Sequence, residues 1–178
     1  KEVLEDNSLW QCTNENPQTI TVEAGKTAEV TFTNALRPGE ITIQKVNHEG
    51  APLAGAEFLL EWSEDGVNWY PVTYTDSTIV SKGTCSSVGL QDGKLVSGVA
   101  GLVVFTGLYP RLQYRLTETE APDGYQLLAS CAYEGVLPMD GDLTVSLTVV
   151  NIPVFELPET GSHDAVLLPI SVILCLCL

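Results

Sequence analysis

Basic residues are scarce in this sequence: eight lysines and arginines stand against 23 acidic residues, which gives a net charge of -15. A surface this acidic repels the phosphates of nucleic acids and of anionic membranes. We therefore exclude nucleic acid as a partner. The 178 residues suffice for one domain of ordinary size and part of a second, and 44% of them are hydrophobic, which is enough for a core.

Residues typical of enzyme sites are also scarce. The two histidines, His48 and His163, fall in predicted loops, and the sequence has no GxSxG, HExxH or phosphate-binding glycine loop. No cysteines have the CxxC spacing of a metal site; the five are Cys12, Cys85, Cys131, Cys175 and Cys177. Cys85 and Cys131 fall in one predicted domain and could either pair or remain separate thiols. We expect no turnover enzyme, no cofactor and no bound metal.

Long helical periods are absent, and glycine and proline, with 15 and 10 copies, interrupt the sequence throughout. The segments between them are short, rich in threonine and valine, and alternate apolar with polar residues, which is typical of β-strands. We predict strands at residues 28–34, 40–46, 56–63, 101–108, 114–119 and 142–151. Regular short strands with turns between them predict an all-β sandwich of two antiparallel sheets.

Two similar segments, AEVTFTNALRPGE and LTVSLTVVNIPVFE, indicate tandem domains, because each is an alternating strand followed by asparagine and a proline. We expect residues 1–36 to be the last strands of one incomplete domain and residues 38–153 to form a complete one. A linker at 154–164 and an apolar tail at 165–178 follow. No signal peptide is visible, so we interpret the chain as a fragment of a longer precursor.

Three polar residues continue the core-facing side of predicted strands, because alternate side chains of a strand share one face. They are Lys45, Glu118 and Asn151. Burying any one alone would cost several kcal/mol, on the order of 2 to 7 for the amide, so we expect the three to satisfy one another. The alternative is that they are strand ends turned to solvent, with Lys45 and Glu118 forming an ordinary ion pair.

Burial disfavours charge, which favours a neutral, nucleophilic amine on Lys45 and a protonated Glu118 that donates to the side-chain carbonyl of Asn151. The amine could then attack that carbonyl and expel ammonia. The product would be an isopeptide cross-link between the first and last strands of the predicted domain, with Glu118 as the catalytic group.

Two segments resemble a known family. ITIQKVNHEGAPLAGAEFLL, at residues 41–60, resembles the opening strands of Cna B-type domains, which are also called SpaA-type pilin domains. YRLTETEAPDGY, at residues 114–125, matches the E-box of that family, which has the form Y-x-L-x-E-T-x-A-P-x-G-Y. The resemblance covers residues 38–153.

The resemblance implies an immunoglobulin-like, prealbumin-type antiparallel β-sandwich. It also implies that Lys45 and Asn151 are the bonded pair and that Glu118 promotes the reaction. Asn34 ends a similar strand and would be the matching asparagine of the preceding domain. Its lysine partner would lie outside this sequence, so we expect Asn34 to be unbonded here.

The linker contains the sequence LPETG, formed by Leu157, Pro158, Glu159, Thr160 and Gly161. It resembles the LPXTG sorting signal that sortase cleaves between threonine and glycine, before joining the threonine to peptidoglycan or to a pilin. The apolar tail after it is shorter than the roughly 20 residues of a membrane-spanning helix. It also lacks the basic end of such signals, so we expect a truncated, membrane-associated segment.

These features predict a structural stalk, adhesin or pilin subunit of a Gram-positive surface, secreted and covalently attached to the cell wall. The alternative is the spacer and anchor region of a wall-bound extracellular enzyme whose catalytic domain lies upstream. Expected partners are sortase, peptidoglycan or another pilin subunit, and the membrane only through the tail before sorting. The aromatic-rich segment at 62–100 either binds a host protein or glycan, or forms an extra hairpin on the sandwich.

Overall fold

The computed structural model describes residues 1–4, 9–76, 81–139, 141 and 143–155. All regular secondary structure in those residues is β-strand. None of them belongs to a helix long and apolar enough to cross a membrane. The strands are β1 (Trp10–Cys12), β2 (Asn34–Leu36), β3 (Gly39–Asn47), β4 (Glu57–Ser63), β5 (Tyr70–Pro71), β6 (Thr73–Tyr74), β7 (Thr84–Cys85), β8 (Lys94–Val96), β9 (Leu102–Leu108), β10 (Gln113–Glu120), β11 (Tyr133–Val136) and β12 (Thr144–Asn151).

Two sheets form a sandwich from β3 to β12. One has the strand order β12-β3-β9, and the other has the order β11-β10-β4-β5, with β8 also paired to β4. Apolar residues of both sheets form a single core, to which β3 contributes Ile41 and Ile43 and β10 contributes Tyr114 and Leu116. The predicted all-β sandwich is confirmed, and five of the six predicted strands coincide with β3, β4, β9, β10 and β12.

The first and last strands of the sandwich, β3 and β12, are neighbours that run in parallel. They pair from Glu40 with Thr144 to Asn47 with Asn151. On its other side β3 pairs with β9 in antiparallel fashion. The smaller sheet is therefore mixed rather than purely antiparallel. A parallel pair needs a long crossover connection, and here residues 48–143 provide it.

The prediction of a strand at residues 28–34 is wrong except at its last residue, because β2 begins at Asn34 and pairs with β1. The carbonyl of Thr33 accepts the N–H of Thr13 at 2.8 Å, and further back the backbone is bonded by side chains. The carbonyl of Thr31 accepts from the amides of Asn14 at 2.8 Å and Gln18 at 2.7 Å. Side-chain donors thus take the place that a neighbouring strand would have.

The segment at 62–100 joins the sandwich through several short strands rather than through one extra hairpin. β5 and β8 pair with β4, whereas β6 and β7 pair with each other in parallel. Val72, Cys85 and Leu90 of this segment are buried in the core. The segment is therefore an integral part of the fold.

The cysteines of the described residues, Cys12, Cys85 and Cys131, are free thiols. Cys85 is buried, whereas Cys131 is exposed, so the two remain separate. Cys175 and Cys177 lie outside the described residues.

Gly101 fixes the backbone beside Lys45. Its φ is +69°, and a Cβ at this position would collide with the carbonyl oxygen of Lys45. Its own carbonyl accepts the N–H of Lys45 at 2.7 Å. Because alanine would combine a left-handed backbone with a backbone clash, we expect Gly101→Ala to lower the free energy of unfolding by about 2–4 kcal/mol. Denaturant unfolding measures this loss.

Gly98→Ala is the matched control for Gly101→Ala. Gly98 has a φ outside the left-handed region, and a Cβ there would meet no atom within 4 Å. We expect this change to alter the free energy of unfolding by less than about 0.5 kcal/mol. Equal losses in the two variants would contradict the close approach at Gly101.

Candidate functional site

Lys45, Glu118 and Asn151 lie together inside the sandwich. Lys45 on β3 and Asn151 on β12 belong to one sheet, and Glu118 on β10 belongs to the other. Their exposed fractions are 0%, 2% and 1% in that order. Each continues the buried face of its strand, as the alternation of apolar residues predicts. They are therefore core residues and not strand ends turned to solvent.

The amine of Lys45 faces the side-chain carbonyl of Asn151. Its Nζ donates to Oδ1 of Asn151 at 2.5 Å and to the backbone carbonyl of Val149 at 3.2 Å. The parallel register explains this contact: Val149 is directly opposite Lys45, and Asn151 stands two residues further along the same face. The amine and the carboxamide are thus held next to each other by the pairing of β3 with β12.

The carboxylate of Glu118 faces the amide nitrogen of Asn151. That nitrogen, Nδ2, donates to both carboxylate oxygens at 3.0 Å, and the N–H of Leu128 donates to Oε2 at 3.1 Å. Oε1 lies 3.6 Å from the Lys45 amine. The predicted contact of Glu118 with the carbonyl oxygen of Asn151 is therefore wrong, because Lys45 occupies that oxygen and Glu118 binds the nitrogen.

Burial lowers the pKa of Lys45 below its usual value of 10.5, because an ammonium group loses its hydration in the core. The neighbouring Glu118 opposes this shift through its negative charge and its polar contact with the amine. Burial is the larger effect, so Lys45 gives up its proton more readily than an exposed lysine does.

The turn after β10 closes the site from one end. The N–H of Gln126 donates to the carbonyl of Ile152 at 2.9 Å, and the N–H of Val154 donates to the carbonyl of Gly124 at 2.8 Å. The chain that leaves β10 is thereby joined to the chain that leaves β12. This connection brings the N–H of Leu128 to the Glu118 carboxylate.

Sequence reasoning missed two backbone groups of the site, the N–H of Leu128 and the carbonyl of Val149. Neither group depends on the identity of its side chain, so no residue pattern marks it. Val149 can be located only from the parallel register, and Leu128 only from the turn after β10.

The site places an amine, a carboxamide and a carboxyl group in mutual contact, away from water. Such contact provides the proximity and the proton carrier that acyl transfer between an amine and an amide needs. Among the described residues, no group of three histidines, cysteines, aspartates or glutamates could hold a metal ion.

The other residues singled out from the sequence lie elsewhere. The LPETG sequence, Leu157 to Gly161, lies outside the described residues, as do His163 and the apolar tail. The side chain of His48 is 52% exposed, with Glu49 at 4.0 Å. Asn34 begins β2, in a separate two-stranded sheet.

A surface hollow of about 440 Å³ lies in the segment at 62–100, and its lining residues are Trp62, Glu64, Asp65, Asn68, Tyr70 and Lys82. The rings of Trp62 and Tyr70 pack with centroids 5.3 Å apart. Trp69 is covered by the guanidinium of Arg115, 4.5 Å from the ring centroid. Aromatic residues of this segment are therefore partly used in packing within the domain.

Comparison with known proteins agrees with this fold. Residues 39–151 match the SpaA prealbumin-like fold domain, which covers more than half of the chain. The chain therefore belongs to the SpaA-type family of prealbumin-like domains, which are the Cna B-type domains that the sequence resembles. No curated protein is significantly similar to it.

Several solved pilin structures are similar to this chain. The group B streptococcus pilus 2b backbone protein is 26% identical with a TM-score of 0.53, over 72% of this chain and 46% of that protein. A streptococcal ancillary pilin is 17% identical with a TM-score of 0.49, over 80% of this chain and 43% of the pilin. The major pilin subunit of Bacillus cereus is 21% identical with a TM-score of 0.44, over 70% of this chain and 35% of that subunit. The chain thus spans less than half of each of these proteins.

Loss of Glu118 alone should cost more stability than loss of Glu118 together with Lys45. Glu118→Leu leaves a buried ammonium without its counter-charge, which costs about 3–5 kcal/mol. Adding Lys45→Met removes that charge and should recover part of the loss. Denaturant unfolding compares the two variants, neither of which retains the complete cluster. A double variant less stable than Glu118→Leu would show that the two charges are not coupled.

The stability of Glu118→Leu should also depend on pH. Without the carboxylate that raises it, the pKa of Lys45 falls further below 10.5. A lysine whose pKa is lower in the folded state than in the unfolded state destabilises the fold. This destabilisation is complete at pH values below the folded-state pKa, and it decreases as the pH rises towards the usual value of 10.5. We expect the stability gap to the double variant to close from neutral to alkaline pH. A constant gap in that series would mean that Lys45 does not carry the effect.

Proposed function

We propose that this chain is a structural subunit of a Gram-positive cell surface, either a pilin or a stalk, with an isopeptide bond between Lys45 and Asn151. Membership of the SpaA-type family and the similarity to pilin subunits support the structural role. The 2.5 Å contact between the Lys45 amine and the Asn151 carbonyl oxygen, in a buried site, is the observation that carries the cross-link.

The bond forms by attack of the neutral Lys45 amine on Cγ of Asn151. Glu118 accepts a proton from the amine and passes one to Nδ2, which leaves as ammonia. One amine and one primary carboxamide thus give one secondary amide and one ammonia, and Glu118 is restored. The 3.0 Å contacts of both Glu118 oxygens with Nδ2 support this role. Each molecule reacts once, so the chain is not a turnover enzyme.

The cross-link closes a large loop, because Lys45 and Asn151 are 106 residues apart. By analogy with a disulfide, restricting a loop of this length in the unfolded state contributes roughly 4–5 kcal/mol. The bond also joins the first and last strands of the sandwich, which suits a subunit that must stay folded outside the cell.

The LPETG sequence gives this subunit its attachment. Leu157 to Gly161 follow the sandwich directly in sequence and precede an apolar segment. Sortase cleaves between Thr160 and Gly161 and joins the threonine to peptidoglycan or to another pilin subunit. The chain is then an extracellular protein covalently attached to the cell wall, with sortase and neighbouring subunits as its partners.

The cross-link makes the intact chain lighter than its sequence mass by one ammonia. Mass spectrometry under reducing conditions should show the deficit in the parent and the full mass in Lys45→Ala and Glu118→Ala. Lys94→Ala is the matched control, because the Lys94 amine binds Glu57 at 2.7 Å on the surface and should not affect the deficit. Full mass in the parent would mean that the three buried residues form a polar cluster without a cross-link.

Sortase supplied with a glycine nucleophile should convert the chain to a product in which Thr160 is joined to that nucleophile. Thr160→Ala should abolish the reaction, because it removes the acyl donor. Glu159→Ala should leave the reaction intact, since this position varies in the LPXTG signal. The masses of the products distinguish these cases, and transfer by Thr160→Ala would refute the assignment.

A further inference from the structure

β12 is an outer strand of its sheet. It lies at one end of the strand order β12-β3-β9, so β3 pairs with one side of it only. The N–H and the carbonyl of one strand residue point to the same side, and successive residues alternate between the two sides. The carbonyl of Leu143 accepts the N–H of Glu40 on β3. The odd-numbered residues of β12 therefore face β3, whereas Ser146, Thr148 and Val150 face away from it.

Ser146, Thr148 and Val150 form an open edge. The chain after β10 reaches this side of β12 only further on, at Ile152, whose carbonyl accepts the N–H of Gln126 at 2.9 Å. Among the described residues, no backbone group outside β3 is hydrogen-bonded to the three residues of the open edge. Their side chains are exposed. The backbone of the open edge is therefore accessible to another strand.

The other outer strands of the sandwich are protected against such pairing. On β9, the carbonyl of Thr106 accepts the N–H of Ser86 at 2.8 Å. β5 contains Pro71, β8 contains Lys94 and β11 contains Glu134. Proline and charged residues are common means of blocking an edge strand. β12 has neither, because its sequence is TVSLTVVN, and its register with β3 is uninterrupted.

The open edge is complementary to a second copy of itself in antiparallel orientation. Thr148 is its central residue, so a two-fold axis there pairs Thr148 with Thr148 of the second copy and Ser146 with Val150. Residues that face each other in this way exchange two backbone hydrogen bonds. On the other face of the strand, the same register sets Leu147 opposite Val149. Hydroxyl groups thus meet at the axis and apolar side chains meet beside it, and both kinds of pair stabilise a sheet.

Apolar surface at the open edge favours its coverage. Val150 is 44% exposed, and together with Leu127 and Ile152 it lines a hollow of about 290 Å³. A second strand beside β12 would remove part of this apolar surface from water, which stabilises the pair.

The distribution of charge favours the antiparallel orientation. The beginning of β12 lies beside Glu40, whereas its end lies beside the uncharged residues Asn47 and Gln126. Antiparallel pairing sets the beginning of one strand against the end of the other, so the Glu40 carboxylates of the two copies stay apart. The net charge of -15 makes two copies repel each other in general. The uncharged β12 is therefore a suitable place for them to approach.

We propose that two copies of this chain associate side by side through the open edges of their β12 strands, in antiparallel register about Thr148. The sheets that contain β12 then continue into each other across the axis. This surface is independent of the proposed cross-link, because the side chains of Lys45 and Asn151 are buried in the core. The contact joins neighbouring subunits laterally and without a covalent bond.

Sedimentation equilibrium of the whole chain tests the association. The mass of the parent should rise from monomer to dimer with concentration, and a parent that stays monomeric at every concentration overturns the inference. Thr148→Lys and Thr148→Glu each place two like charges at the axis, so each should lose the dimer. Val136→Lys and Val136→Glu are the matched controls, because Val136 is an exposed residue of another outer strand, β11. They should retain the dimer, and its loss in both would place the contact outside β12.

A mixture of the two Thr148 variants tests the register. Equal amounts of Thr148→Lys and Thr148→Glu should form a heterodimer, because opposite charges then face each other at the axis. Circular dichroism of each variant, compared with the parent, shows that both are folded. Folded variants that stay monomeric when mixed overturn the register about Thr148. A dimer that survives in either variant alone overturns the assignment of β12.

Discussion

The structure depends on the burial of one lysine amine inside an apolar sandwich. An isolated ammonium in the core would be too costly to keep, so Lys45 needs both Asn151 from its own sheet and Glu118 from the opposite one. Three strands must therefore hold their register at once, since a slip of one residue would turn any of these side chains to the other face. The ladder between β4 and β10 shifts register between Glu118 and Glu120, so its regular pairing is interrupted just after the acid.

Alternation along single strands was sufficient to place Lys45, Glu118 and Asn151 in the core, because the period of a strand does not depend on which strand lies beside it. Alternation cannot show which strands are neighbours or which side chains are in contact. The parallel pairing of β3 with β12 and the orientation of the Asn151 amide, with its oxygen on Lys45 and its nitrogen on Glu118, came only from the structure.

The rest of the fold was harder to predict, because its segments are either short or bonded through side chains. β5, β6 and β7 have two residues each, which is too few to show any period. Residues 28–33 have the alternation of a strand, but the side-chain amides of Asn14 and Gln18 donate to the carbonyl of Thr31, where a partner strand would otherwise do so. A hydrophobic pattern shows which face of a segment is apolar. It does not show which groups form hydrogen bonds with the backbone of that segment.

The E-box can be understood as one continuous physical unit. Tyr114 is fully buried and donates its hydroxyl to the carbonyl of Tyr109 at 2.8 Å, while burial raises the pKa of that hydroxyl. Glu118, four residues later, supplies the acid. The turn that includes Gly124 then returns the chain to the end of β12. A single segment thus anchors β10 in the core, carries the carboxyl group and closes the site.

The parallel pairing of β3 with β12 also determines how the domain responds to tension. Tension applied at Gly39 and at Asn151 draws the two strands along their length in opposite directions, because they begin at the same end of the sheet. Their ladder is then loaded in shear, and its hydrogen bonds must fail together. An antiparallel terminal pair would instead unzip one bond at a time. The topology alone thus favours high mechanical resistance, before any covalent bond between the strands is considered.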